Sequence, residues 1–191
     1  MVKKEIKIVN IVASTSLEHD IPLIKLAEKL PNTEYNPEQF PGLVIRIKEP
    51  KTSALIFGSG NVVCTGARSM SKLREAIKQI IKNVEKIGIK ITAEPKVTVQ
   101  NMVASGAIGM DLNLNMLAME LENTEYEPEQ FPGLVYKLSG TRATFLLFSN
   151  GKIVCTGTRS ESKLREAVDL LIKNLLALKK KGWNGFCQSL K

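Results

Sequence analysis

This chain of 191 residues shows no grouping of side chains that is typical of a nucleophile with its base, an acid–base pair or a metal site. His19 is the only histidine, and the three cysteines show neither a Cys-x-x-Cys spacing nor the pattern of a disulfide framework. No carboxylate pair stands on the open sheet face described below, where a general acid and base would be needed. We therefore expect a protein that is not an enzyme and that has no metal or cofactor.

The charge balance points to a polyanionic partner. Lysine and arginine number 27 against 19 acidic residues, which gives a formal net charge of +8. A basic protein releases counterions when it binds a polyanion, so nucleic acid is the leading candidate. The alternative is a lysine-rich surface that only keeps the protein soluble. No apolar run is long enough for a membrane span, and no membrane partner is expected.

A six-residue motif, Gln-Phe-Pro-Gly-Leu-Val, occurs at positions 39–44 and again at 130–135. An offset of 91 aligns residues 6–88 with 97–179, and 39 of the 83 pairs are identical. The chain is thus predicted to contain two copies of one unit, at 1–91 and 92–181, followed by a C-terminal tail at 182–191. Two copies favour a pseudo-dimeric domain over a solenoid, which normally needs three or more repeats.

Each unit has the pattern of a strand, a short helix, four short strands and a long helix. In the first unit strands are predicted at 5–14, 43–48, 53–57 and 62–65, with hairpin turns at 49–52 and 58–61. The short helix is predicted to be capped by Asp20, or by Asp111 in the second unit. The long helix is predicted to be capped by Ser69 or Ser71, and its counterpart by Ser160 or Ser162.

One face of the predicted sheet has no helix to cover it. If Val62 and Cys64 face the helices, Val63 and Thr65 point to the bare side, because strand side chains alternate. The paired Cys64 and Cys155 are therefore expected to have a packing role. An open apolar face usually marks a binding surface. The alternative is that this face, with its phenylalanines, is buried as the core of a sandwich.

Several segments resemble the core of the TATA-box-binding protein family. They are 10–14, 34–40, 45–57 and 63–68 in the first half, and 100–103, 126–136 and 154–157 in the second. The resemblance implies an α+β saddle of two pseudo-symmetric repeats that share one curved ten-stranded antiparallel sheet, with four helices on the convex face. It also implies a general transcription factor that binds the TATA box in the minor groove. The implied form is the archaeal one, which acts in the cytoplasm, at the nucleoid.

The resemblance assigns roles to individual residues. It implies that four aromatic rings enter base steps and kink the DNA: Phe40, Phe57, Phe131 and Phe148. It implies minor-groove contacts by Asn10, Val12, Leu55, Val63, Thr65, Asn101, Val103, Leu146, Val154 and Thr156. Phosphate contacts are implied for Arg46, Lys51, Lys137 and Arg142, with help from Arg68 and Arg159.

The resemblance further implies partners in transcription initiation. The acidic loop before Phe131 is expected to bind the B-type general transcription factor through Glu127 and Glu129, and so to bring in RNA polymerase; an ordinary acidic loop is the alternative. Related half-saddle folds occur in DNA glycosylases, so catalysis is the rival function, and a sheet face that binds a protein or lipid is a third. The tail lacks the acidic run associated with many archaeal members.

Overall fold

The computed structural model describes residues 5–92 and 94–180. The first repeat contains β1 (Glu5–Ser16), α1 (Leu23–Lys29), β2 (Thr33–Glu34), β3 (Gly42–Ile47), β4 (Thr52–Phe57), β5 (Asn61–Ala67) and α2 (Met70–Glu85). The second contains β6 (Thr98–Ala107), α3 (Leu114–Glu120), β7 (Thr124–Glu125), β8 (Leu134–Lys137), β9 (Thr144–Leu147), β10 (Lys152–Thr158) and α4 (Glu161–Lys180). The predicted tail and Cys187 lie outside the described residues.

The strands form a ten-stranded antiparallel sheet, in the order β2-β3-β4-β5-β1-β6-β10-β9-β8-β7. The described chain divides into two compact units, Val9–Asn101 and residues 5–8 with 102–180. Within the first unit the strand order is β2-β3-β4-β5-β1, and within the second β7-β8-β9-β10-β6 repeats it. The predicted α+β class, ten antiparallel strands and four helices are confirmed.

Burial alternates along the strands as their sequences predict. In β4, Ala54 and Ile56 are buried, whereas Leu55 and Phe57 are half-buried. The buried set lies against the helices: α2 buries the apolar stripe Leu73, Ala76, Ile77, Ile80 and Val84. Cys64 and Cys155 are buried on that side, which confirms their predicted packing role.

The other face of the strands is not a buried core. Val12, Leu55 and Val63 are only half-buried, and so are Val103, Leu146 and Val154 in the second repeat. A sandwich core would bury these side chains, as the helix side buries Ile56. The alternative of a sandwich core is therefore wrong.

The long helices begin as predicted, and the short helices do not. Lys72 N donates a hydrogen bond to Ser69 Oγ at 3.2 Å, and Lys163 N donates one to Ser160 Oγ at 3.3 Å. In α1 the N-cap is Pro22, with no side-chain hydrogen bond, and Asp20 lies outside the helix. In α3 the cap is Asn113, whose side chain accepts from Met116 N. The predictions for Asp20 and Asp111 are wrong, because the N-cap of each helix lies two residues after its aspartate.

Over the described residues, 5–92 and 94–180, the structure has no helix that combines the length and apolar character needed to cross a membrane.

Candidate nucleic-acid interface

Side chains on the half-buried face line up across neighbouring strands. In the first repeat Val44 lies opposite Leu55, Leu55 opposite Val63, and Val63 opposite Ser14. Residues that are directly opposite are close enough for their side chains to touch. The second repeat forms the same row from Val135, Leu146, Val154 and Ser105. Each repeat therefore presents a row of three apolar side chains and one hydroxyl, which we call the apolar row.

Two phenylalanines stand together beside each apolar row. The ring centroids of Phe40 and Phe57 are 6.0 Å apart, and their planes make an angle of 62°. Gly42 lies opposite Phe57, and a Cβ at Gly42 would come within 2.6 Å of Phe40 Cε1. Phe131, Phe148 and Gly133 repeat this arrangement, with centroids 6.0 Å apart and planes at 68°. The glycine of the repeated motif thus makes room for an edge-to-face aromatic pair.

The outer ring of each pair is exposed to solvent. Phe40 is 44% exposed and Phe131 41%, whereas the core residue Phe145 is fully buried. A tight turn holds each ring, because Phe40 N donates to Asn36 O and Phe131 N donates to Glu127 O, both at 2.9 Å. A core role is therefore wrong for Phe40 and Phe131, and their partners Phe57 and Phe148 are half-buried.

Asn10 is held with its amino group available as a donor. Gly66 N donates to Asn10 Oδ1 at 2.7 Å, and Thr65 Oγ1 donates to the same oxygen at 3.3 Å. A backbone N–H can only donate, so it fixes which end of the carboxamide is the oxygen. The Nδ2 group is then the end that can donate to an acceptor outside the protein. Asn101 and Thr156 occupy the equivalent positions of the second repeat.

A bulge in β5 brings the Gly66 N–H to Asn10. The pairing of β1 with β5 shifts between Ile11 and Ala13, where β5 carries one extra residue. Gly66 has a φ of +97°, a conformation that glycine adopts without steric cost. The pairing of β10 with β6 shifts in the same way, and Gly157 there has a φ of +89°. The bulge is therefore present at the equivalent position of both repeats.

The predicted phosphate-binding cations are exposed. Arg46, Lys51, Lys137 and Arg142 all lie on the surface, as do Arg68 and Arg159. In the first repeat Arg46, Lys51 and Arg68 line one groove of about 1160 Å³, which also reaches Asn10 and Thr65. Arg46 and Lys137 are not free of partners, because each forms an ion pair with a glutamate of the adjacent edge strand.

The acidic loop before Phe131 leaves two of its carboxylates in solvent. Glu127 and Glu129 are exposed, and neither side chain makes an ion pair within the described residues. Glu125, in contrast, accepts a hydrogen bond from Lys137, and this bond lowers the pKa of Glu125. Asn36 replaces Glu127 in the first repeat, although the backbone turn is the same. The loops thus share a shape and differ in charge.

The described residues contain neither an activated cysteine nor a metal-binding cluster. Burial raises the pKa of Cys64 and of Cys155 to about 11, so neither thiol is a ready nucleophile at neutral pH. Within residues 5–92 and 94–180 no cluster of histidine, cysteine or acidic side chains could hold a metal ion.

A family model described as "Transcription factor TFIID (or TATA-binding protein, TBP)" matches residues 5–87 and 96–178. The chain belongs to this family. The two matched ranges correspond to the two repeats, and the TATA-binding protein family is one of DNA-binding transcription factors. The chain is accordingly a general transcription factor and not an enzyme, which confirms those predictions.

Individual relatives agree with this family over nearly their whole length. The chain is 52% identical over 176 residues to the TATA-box-binding protein of Archaeoglobus fulgidus, covering 91% of this chain and 96% of the relative. It is 49% identical over 171 residues to that of Thermococcus kodakarensis, covering 90% of each. Among solved structures it is similar to Methanococcus jannaschii TBP, with a TM-score of 0.84, 48% identity, and coverage of 88% and 97%. The archaeal type is confirmed.

Among the features of the site that were absent from the sequence-based prediction, two recur in both repeats. One is the packing of Gly42 and Gly133 under the phenylalanines, although the motif Phe-Pro-Gly repeats both residues together. The other is the ion pairing of Glu34 with Arg46 and of Glu125 with Lys137. Both repeats place a basic residue 12 positions after the glutamate, and this repeated spacing was the signal that could have revealed the ion pairs.

Proposed function

We propose that this protein binds TATA-box DNA through the half-buried face of its strands, in the minor groove. The observation that carries the proposal is the apolar row of each repeat, which stands beside a phenylalanine pair whose outer ring is exposed. The minor groove of A·T pairs displays only acceptors, whereas a G·C pair adds an amino group. A face of valine and leucine, with donors at Asn10 and at its counterpart Asn101, suits A·T pairs. It leaves the amino group of a G·C pair unpaired.

The phenylalanine pairs act as wedges that kink the DNA. Minor-groove proteins, of which the TATA-binding family is itself an instance, insert apolar side chains between base steps at a cost of a few kcal/mol per step. An exposed ring held by a turn and backed by a second ring, as in Phe40 and Phe57, is suited to replace lost base stacking. Sequence selection then depends on how readily TA steps deform.

Contacts to phosphates hold the bent duplex in register. Arg46, Lys51, Lys137 and Arg142 supply this grip, and Arg68 and Arg159 add to it. Such contacts orient the DNA without reading its sequence. Thr65 lies next to Asn10, and Thr156 is its counterpart in the second repeat. These hydroxyl groups add polar contacts, and Val12 and Val103 extend the apolar surface.

The bound protein recruits the B-type general transcription factor, and through it RNA polymerase. The support is the family membership together with the charge difference between two loops of the same shape. Exposed carboxylates at Glu127 and Glu129 fit a basic surface on that factor. The two repeats extend over residues 1–91 and 92–181, and residues 182–191 form a separate tail. The protein acts at the nucleoid.

The deciding experiment compares binding to a TATA duplex and to a G·C-substituted duplex of equal length, by gel shift at fixed salt. Each substituted pair is expected to weaken binding by about 5- to 150-fold, which corresponds to about 1–3 kcal/mol. Fixed salt is essential because charge alone binds any duplex. Equal affinity for the two duplexes would contradict the proposed function.

A further inference from the structure

Each repeat carries a glutamate on its edge strand that faces a basic side chain on the next strand. Arg46 Nε and one terminal nitrogen donate to Glu34 Oε1 at 3.3 and 3.1 Å. Lys137 Nζ donates to Glu125 Oε1 at 2.9 Å. Glu34 lies opposite Val44 in β3, and Glu125 opposite Val135 in β8, so the pairs occupy equivalent places. We call Glu34 and Glu125 the edge carboxylates.

The edge carboxylates pair with two of the four cations that are proposed to grip phosphate. The cation changes from arginine to lysine between the repeats, and the carboxylate stays the same. All four side chains are largely exposed, at 62–68%. A phosphate can therefore reach either cation, but there it meets a carboxylate that already accepts two hydrogen bonds from Arg46 or one from Lys137 and offsets the charge of that cation.

We propose that Glu34 and Glu125 compete with DNA phosphate for Arg46 and Lys137, and so limit how tightly the protein binds DNA of any sequence. The proposal rests on the DNA binding proposed above. A freed carboxylate beside the duplex also attracts a cation from solution, which subtracts from the counterions that the DNA releases. The edge carboxylates thus restrain charge-driven binding by a protein with a net charge of +8.

The test uses the double variant Glu34→Gln/Glu125→Gln, which keeps side-chain shape and removes the charge. Its control is Glu75→Gln/Glu166→Gln, because these residues also form exposed ion pairs in both repeats, with Lys72 and Lys163, but on α2 and α4. Both variants raise the net charge by the same amount. Binding to the TATA duplex and the G·C-substituted duplex is measured by fluorescence anisotropy over a salt series.

The edge variant is expected to bind both duplexes about 2- to 30-fold more tightly than the wild type, taking each exposed pair at its usual strength and the two sites as additive. The slope of log affinity against log salt should steepen by up to about 0.9 per site. The control should change both quantities less. The ratio of TATA to G·C affinity should stay the same, because phosphate contacts carry no sequence information.

Two results would overturn the proposal. If the edge variant and the control gain equally, only net charge matters and there is no competition for the cations. If the edge variant binds more weakly, the carboxylates orient Arg46 and Lys137 instead of competing with phosphate. Failure of the proposed function is a separate outcome, since the wild-type protein would then show no preference for TATA.

Discussion

At the residue level, small side chains decide how the aromatic rings are displayed. Gly42 leaves the space into which Phe40 leans, and the ring stays 44% exposed while it contacts Phe57. Any larger residue at this position would displace the ring, because the Cβ itself would lie 2.6 Å from Phe40 Cε1. The exposed ring is stabilised by its partner and by a backbone turn, so its position is fixed by the protein itself.

Replacement of Phe131 by Ala is expected to reduce the bend of a TATA duplex and to weaken binding by about 10-fold or more, because the stacking contact of one ring is lost. The bend is measured by fluorescence transfer between end-labelled strands. Phe148→Ala should act in the same way, since the two rings form one pair.

The matched control for this change is Met119→Ala, which truncates an 81% exposed apolar side chain on α3. It should leave the bend and the affinity unchanged. A bend that survives the loss of Phe131 would refute the wedge assignment.

At the level of the elements, each repeat has a serine cap at the start of its long helix and a bulge in the strand before that helix, β5 or β10. The cap satisfies one of the backbone N–H groups that open a helix, and the bulge turns the Gly66 N–H towards Asn10. Neither feature lies in the apolar row itself. Both determine where that row and its polar neighbours stand relative to the helices.

Ser69→Ala is expected to lower the free energy of unfolding by about 1 kcal/mol, the usual cost of a lost N-cap. The change is measured by denaturant unfolding. Ser160→Ala should cost a similar amount, because the two caps have the same geometry.

The control is Ser71→Ala, two residues further on in α2. Its hydroxyl contacts Ser69 Oγ at 2.9 Å, and among the described residues it accepts no hydrogen bond from a backbone N–H of the helix. TATA affinity should not change in any of these variants. A Ser69 variant no less stable than the Ser71 variant would show that the cap contributes nothing.

At the level of the whole molecule, the two repeats share a fold and differ in surface charge. The backbone carbonyls of Asn36 and Glu127 accept the same hydrogen bonds in their two turns. The loop before Phe131 carries more glutamates than the loop before Phe40. A protein that was symmetric in every respect could not present one loop in preference to the other. The charge difference therefore distinguishes two loops that share one backbone conformation.

Glu127→Lys/Glu129→Lys is expected to abolish or strongly weaken the complex with the B-type factor and to keep or raise affinity for TATA DNA. The physical reason is that reversed charge repels a basic partner and does not repel phosphate. Gel shifts with and without the factor measure both quantities.

Glu38→Lys is the control, because Glu38 is the first-repeat equivalent of Glu129. It should leave the ternary complex intact. Equal loss of DNA binding and factor binding in the Glu127/Glu129 variant would contradict the assignment of this loop.

Local patterns in the sequence determined most of the architecture. The offset of 91 residues gave the duplication, alternation along β4 and β5 gave the buried and half-buried faces, and Ser69 marked the start of α2. These features depend on periodicity and on neighbouring residues, which the sequence contains directly. Pro22 and Asn113 replaced the expected caps because the start of a short helix is set by packing as much as by its capping residue.

The details of the site were decided by tertiary structure alone. Asn10 meets Gly66 across 56 residues, through a shift in strand register that no local pattern encodes. Gly42 meets Phe57, and Glu34 meets Arg46, because β3 pairs with β4 and β2 with β3 in one register. A change of register by one residue would reverse every face and break all three contacts. The sequence determined which residues form the face, and strand pairing decided which of them touch.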